Sequence, residues 1–241
     1  MSSYTQRKTD EWNSKLKIYD AKRKRYPPQE GRTMPDLENI ELGGSRQFHL
    51  AVLSVDIRGF TKIVMDLDDA NIQKLARLQA LYLSQVSTVV KENNGVTEKY
   101  TGDGVMGLFG TESGTNVNED VNNAAQCALD LKLLLKNSLN PYLAKNNLPQ
   151  IEIGMGIDYG PVLMEKVGLR GENQFSLAGR AVSLAAKMQG LARSNNIYVG
   201  DNFYKRVTFK NIKQYCIPLN LGSIDWPYNY PIYHMDAYWT E

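Results

Sequence analysis

The chain has 241 residues, of which 42% are apolar and 22% charged, and a formal net charge of +2. That is enough chain to bury one core without staples, and too hydrophobic a composition for disorder throughout. No run of about 18 apolar residues exists to span a membrane, and no apolar stretch near the N-terminus marks a secretory signal.

Two cysteines, Cys127 and Cys216, are too few for a disulfide framework. Cys127 falls in a helical pattern and reads as a buried thiol, and the expected compartment is a reducing cytoplasm. Residues 1–47 read as an N-terminal arm, with ten Lys and Arg against seven Asp and Glu. Trp12, Leu16 and Tyr19 predict a short amphipathic helix over 10–25, ended by Pro27-Pro28, and 28–46 reads as a linker. The run Lys22-Arg23-Lys24-Arg25 is read as a solvated helix end. No aromatic interleaving or groove-reading motif accompanies it, so no nucleic-acid partner is expected.

From Phe48 the pattern is dense. FHLAVLSVD, 48–56, is the apolar run of a central strand covered on both faces. Asp68 or Asp69 is positioned to cap a helix whose apolar stripe is Ile72, Leu75, Leu78, Tyr82, Val86, Val89 and Val90, closed by Asn94-Gly95. VTEKY-TGDG-VMGLFG reads strand, tight turn, strand. A second amphipathic helix is predicted over 118–136 and a strand over 151–157. Gly160-Pro161 is expected to turn the chain, with another strand and a loop in 162–177. A helix over 180–191, a strand at Ile197–Val199 and a helix from Asp201 follow. The order β-α-β-β-α-β predicts an α+β fold, a ferredoxin-like split βαβ sheet with helices on one face. The domain is expected to run over 48–210, with 211–241 an aromatic extension in which Trp226, Pro227, Tyr228, Tyr230 and Trp239 pack or sense.

A carboxylate at the end of an apolar strand is costly unless a cation pairs with it, which singles out Asp56. In a split βαβ sheet the end of the first strand meets the hairpin that holds Asp103. Two carboxylates within about 5 Å repel and are reconciled by a divalent cation, and an oxygen-only ligand set suits Mg²⁺ or Mn²⁺. Arg58-Gly59-Phe60-Thr61 is a glycine-bearing turn into a helix, whose backbone N–H groups suit phosphates.

SVDIRGFTKI, followed by GVTEKYTGDGVMGLFG, IGMGIDYGPVLMEKVG and FSLAGRAVSLAAKM, resembles the class III nucleotidyl cyclase catalytic domain over about 48–210. The GG[DE]EF-type turn of diguanylate cyclases is absent. The resemblance implies a homodimer with two shared active sites that converts a nucleoside triphosphate into a 3′,5′-cyclic monophosphate and pyrophosphate. It implies two Mg²⁺ or Mn²⁺ ions per site, held by Asp56, Asp103 and the backbone carbonyl of Ile57. Phe60 and Thr61 match the backbone that cradles the phosphates, and Lys99 matches a base-reading lysine that serves the site opposite Asp103.

Against the family block Y-D-x-W-G-x-x-V-N-x-A-x-R, Ser176 replaces the base-reading Asp, Ser183 the ribose-orienting Asn and Lys187 the transition-state Arg. Ser183 and Lys187 share one helix face at i, i+4. Lys187 still brings positive charge, without the guanidinium fork. Lys99 with Ser176 matches neither the adenine-reading nor the guanine-reading pair. Uracil offers an O4 acceptor to a lysine donor, whereas cytosine offers an opposing N4 donor. The expected substrate order is therefore UTP, then CTP, then ATP. The alternatives are a CTP-specific or adenylate cyclase, or a degenerate domain that binds nucleotide without turnover. With no fused module evident, the chain is similar to the short bacterial pyrimidine cyclases of the Pycsar antiphage system, in which the cyclic nucleotide activates a separate effector.

Overall fold

The computed structural model describes residues 29–30, 41–66, 71–110, 116–170, 172–223, 226 and 228–237. The helix expected over 10–25, the Lys22–Arg25 run, the caps at Asp68 and Asp69, and Pro227 and Trp239 lie outside the described residues, as do the side chains of Lys99 and Tyr100. In chain order the elements are β1 (Gln29–Glu30), β2 (Ser45–Ile57), α1 (Phe60–Asp66), α2 (Ile72–Glu92), β3 (Gly95–Thr101), β4 (Gly104–Phe109) and α3 (Val117–Leu134). A π-helical turn, Leu135–Leu139, leads into α4 (Asn140–Lys145). Then come β5 (Ile153–Leu169), β6 (Glu172–Ala178), α5 (Arg180–Leu191), β7 (Ile197–Gly200), α6 (Asp201–Arg206), α7 (Lys210–Lys213), β8 (Cys216–Pro218) and β9 (Ile232–Met235).

The strands form one sheet in the order β3-β4-β2-β5-β7-β9-β8, with β1 beside β2 and β6 beside β5. Its first four members are the antiparallel split βαβ core predicted from the sequence. Alternation along β2 decides what each face buries. Ala51, Leu53, Val55 and Ile57 point into one core with Leu78, Tyr82, Val86, Val121 and Leu131 of α2 and α3. Phe48, Leu50 and Val52 point into a second core with Val162, Met164, Ala181 and Ala185. Helices therefore cover both faces, not one as expected: α5 lies on the face opposite α2 and α3. The uninterrupted apolar run of β2 is the sequence trace of that double burial.

The other departures have local causes. Gly160-Pro161 does not turn the chain; β5 runs straight through it for 17 residues. On one side Pro161 lies opposite His49 of β2. On its other flank β7 pairs only with 155–157 and β6 only with 163–169, so no ladder there needs the N–H that proline lacks. Residues 162–178 then form a β5–β6 hairpin. The stripe of α2 reaches the core from Leu78, while Ile72 is 61% exposed. Helical structure continues past 136 because Asn140 closes a loop, its side chain donating to the Ile151 carbonyl and accepting from the Ile151 N–H. Among the described residues no helix is long and apolar enough to cross a membrane.

Candidate active site

Register brings the two singled-out carboxylates together. Val55 lies opposite Val105, so Asp56, next along β2, comes beside the turn that precedes β4. That turn is two residues long, Gly102 and Asp103, between the paired Thr101 and Gly104. Gly102 has φ +65°, which a side chain would strain. Its carbonyl accepts a 2.8 Å hydrogen bond from Gln79 of α2, which fixes the turn to the helix behind it.

The Asp103 carboxyl lies within hydrogen-bonding reach of Asp56. Burial, followed by that contact and the Asp103 charge, pushes Asp56 up to about 6, against the lowering effects of Arg58 and Gln189. Arg58 Nη2 is 3.3 Å from Asp56 Oδ2 and Gln189 Nε2 donates to the same oxygen at 3.2 Å. Arg58 also donates to the Gly190 carbonyl at 3.3 Å. Asp56 and Arg58 are i, i+2, the spacing that puts side chains on one side of an extended chain, so this pairing was readable from the sequence. Gln189 lies 133 residues from Asp56 and left no local signal. Tyr82 was read only as part of an apolar stripe. It is fully buried, and Asp56 and Asp103 both act on its phenol, which burial above all pushes up.

Among the described residues four buried polar side-chain atoms lack a hydrogen-bond partner: Ser45 Oγ, Arg58 Nε, Tyr82 Oη and Asp103 Oδ2. Three of the four belong to this one place. A buried acceptor without a donor costs on the order of 1–3 kcal/mol, and its occurrence beside a second carboxylate is the chemistry of a hard cation site. Two carboxylates, one of them with a buried oxygen still unpartnered, and the Ile57 backbone fit Mg²⁺ or Mn²⁺, which fill their shells with water and substrate oxygens. Among the described residues no group of three or more His, Cys, Asp or Glu gathers as a closed protein cage.

The remaining sequence-predicted residues fall on five elements. Ile57 is buried and paired with Ile153. Phe60, half-buried, and Thr61, exposed, open α1 just beyond the carboxylates, and the first helical N–H groups have no intrahelical acceptor. The backbone of Lys99 lies in β3 opposite Met106, just after a bulge that follows Thr97. Ser176 is exposed in β6 opposite Glu165, eleven residues along β5 from Gly154, the partner of Asp56. At 3.3 Å per residue that is a path of about 36 Å along the strand. Ser183 and Lys187 are exposed on α5 and line a cavity of 640 Å³ with Trp226 and Tyr228. Lys187 is two residues, about 200° of helical turn, from Gln189. Since Gln189 bonds Asp56, Lys187 faces away from the carboxylates of its own chain. The C-terminal wall of this cavity, Trp226 and Tyr228, was expected only to pack or sense.

Comparison with known proteins agrees with this geometry. The family profile described as "Adenylate and Guanylate cyclase catalytic domain" matches residues 45–218. An adenylate cyclase of Anabaena cylindrica is 28% identical over 196 residues, which are 73% of this chain and 36% of that protein. A cytidylate cyclase of Staphylococcus aureus is 29% identical over 190 residues, 75% of this chain and 43% of that protein. The chain thus spans less than half the length of these two relatives. The crystal structure of the adenylyl cyclase CyaB from P. aeruginosa shares the fold, with a TM-score of 0.68 at 23% identity, covering 79% of this chain and 94% of that one. Since the family match takes in the carboxylate pair, the split βαβ sheet and α5 alike, the chain belongs to the class III adenylate and guanylate cyclase catalytic-domain family.

Proposed function

We propose that two copies of this chain form a nucleotidyl cyclase that converts UTP into 3′,5′-cyclic UMP and pyrophosphate, at two sites each built from both copies. One observation carries the reading: Asp56 and Asp103 converge at the end of β2 with a buried Asp103 oxygen still without a donor. Asp56, Asp103 and the Ile57 carbonyl hold two Mg²⁺ or Mn²⁺ ions, which when bound acidify the ribose 3′-OH and offset charge at the α-phosphate. The backbone at Phe60 and Thr61 receives phosphate oxygens. Ser183 hydrogen-bonds the ribose and orients it, and Lys187 sets a positive charge beside the α-phosphate. The opposite facing of Gln189 and Lys187 on α5, and the distance of Ser176 along β5, support a second copy as the source of these groups.

Lys99 donates to the uracil O4, and the uncharged Ser176 leaves adenine without the carboxylate that would accept from its amine. A second reading, CTP as substrate, is favoured by the similarity to the S. aureus cytidylate cyclase. The resemblance to short pyrimidine cyclases supports a signalling role in antiphage defence, in which the product activates a separate effector in the cytoplasm. Incubation of the purified chain with Mn²⁺ and each of the four triphosphates, with products identified by mass, tests the reading. Cyclic UMP as the main product is expected. Cyclic CMP as the main product establishes the second reading, and nucleotide binding without pyrophosphate release from any triphosphate refutes both.

A further inference from the structure

Arg58 joins the carboxylate pair to the end of α5, and the fold has cut a seat for it. Gly154 of β5 lies directly opposite Asp56. A Cβ added there would come within 2.7 Å of Arg58 Nε and 2.8 Å of its Cζ, so the bare glycine is what lets the guanidinium lie against the strand backbone. From that seat Nη1 donates to the Gly190 carbonyl and Nη2 to Asp56 Oδ2, each at 3.3 Å. Gly190 is in the last turn of α5, whose carbonyls form the negative end of the helix dipole and favour a cation. Arg58 is thus held between a carboxylate on one side and a helix end on the other, while its buried Nε has no hydrogen-bond partner among the described residues.

The oxygen that Arg58 holds is one that divalent cations would draw on. A carboxylate oxygen offers two lone pairs. Asp56 Oδ2 already accepts from Arg58 and, at 3.2 Å, from Gln189. Two ions sharing two carboxylates and one carbonyl leave no carboxylate oxygen to spare. A guanidinium and a divalent cation on the same oxygen also repel, and because both side chains are partly buried, water and salt screen that repulsion only in part.

We propose that Arg58 is a resident counter-ion of Asp56, which competes with the divalent cations for that carboxylate and so sets how tightly they bind. It is a positioning residue. It ties Asp56 to the end of α5, and it gives up the Asp56 oxygen while keeping the Gly190 carbonyl when the carboxylate turns to a metal ion. The proposal rests on the metal assignment in the function put forward above.

The experiment follows free Mn²⁺ by its electron paramagnetic resonance as the ion is titrated into the full chain without nucleotide, for the wild type, Arg58→Met, Gly154→Ala and Asp103→Ala. Arg58→Met keeps an unbranched stem and removes the charge, and it is expected to tighten Mn²⁺ binding on the order of 10-fold. Gly154→Ala keeps the charge but evicts the guanidinium from its seat, and it is expected to tighten binding too. In EDTA, Arg58→Met is expected to melt below the wild type, because two facing carboxylates lose their cation, and saturating Mn²⁺ is expected to close that gap. An arginine with a merely structural role would leave the gap unchanged. Unchanged or weaker Mn²⁺ affinity in Arg58→Met, or in Gly154→Ala should Arg58→Met not fold, overturns the proposal, and the metal assignment still stands if Asp103→Ala loses Mn²⁺. Mn²⁺ bound as well by Asp103→Ala as by the wild type, or by none of these proteins, overturns both. If Arg58→Met tightens Mn²⁺ while the wild type cyclises no triphosphate, the role of Arg58 stands and the cyclase reading falls.

Discussion

Asp158→Asn should flatten the dependence of folding stability on pH. Asp158 is fully buried in β5, and its carboxylate accepts hydrogen bonds from the Tyr230 hydroxyl and from the backbone N–H groups of Tyr159 and Phe203. These donors, and the Arg180 charge, favour the ionised form. Burial outweighs them and pushes the group up to about 6. In the unfolded chain an aspartate titrates near 3.9. Between these values the folded chain keeps a proton that the unfolded chain has released, so stability falls as pH rises from about 4 to 6 and the full penalty stands above that range. A gap of about two pH units at about 1.4 kcal/mol each comes to about 3 kcal/mol. The asparagine amide offers one acceptor where the carboxylate offers two, which lowers stability by a constant of about 1–3 kcal/mol at every pH. The slope is therefore the diagnostic quantity. Urea denaturation of both proteins from pH 4 to 7.5, followed by tryptophan fluorescence, should show the wild type losing about 3 kcal/mol relative to the variant across that window. Asp56 titrates alike in both proteins and cancels. Parallel curves refute the reasoning.

Asp56→Ala and Asp103→Ala should each abolish cyclisation while the protein still melts cooperatively, and turnover retained in either removes the metal assignment. Lys187→Ala should lower kcat by about 10- to 100-fold with KM nearly unchanged. Lys99→Ala should instead alter the ratio of kcat/KM values among the four triphosphates, and an equal loss for all four would show that Lys99 does not read the base. Tyr82→Phe should raise the melting stability of the metal-free protein by about 1 kcal/mol, because it deletes a buried hydroxyl that has no partner; a drop on calorimetry in EDTA contradicts this. At Gly156 an added Cβ would sit 2.1 Å from the Ala185 carbonyl oxygen. Gly156→Ala should push α5 off β5 at a cost of about 1–3 kcal/mol, measured as a shifted urea midpoint.

The split βαβ core was legible because its signals are local. The apolar run 48–56, the stripe from Leu78 to Val90 and the two-residue turn at Gly102-Asp103 each announce their element within a few positions. Asp56 stood out because it ends an apolar strand, and Asp103 because a split βαβ sheet brings its hairpin turn to that strand's end. Pro161 misled because proline in an apolar stretch is a strong turn signal, and only the sheet partners on its open flank decide otherwise. The contacts of Gln189 with Asp56 and of Tyr230 with Asp158 bridge 133 and 72 residues, and no periodicity encodes such pairings. Tyr82 escaped notice because a phenol in a helical stripe has the same periodicity as any core aromatic.

The place where β5 exchanges one neighbour for another has a bearing on solubility. Among the described residues no strand pairs with β5 between residues 157 and 163 on the flank away from β2, and Asp158, Tyr159, Gly160 and Val162 are buried there while Pro161 alone is exposed. Pro161 has no amide hydrogen to offer there, and the N–H of Tyr159 is taken by the carboxylate of Asp158. A foreign strand arriving at this notch meets one exposed residue that cannot donate, so the change of neighbours along β5 leaves other molecules no ladder to extend.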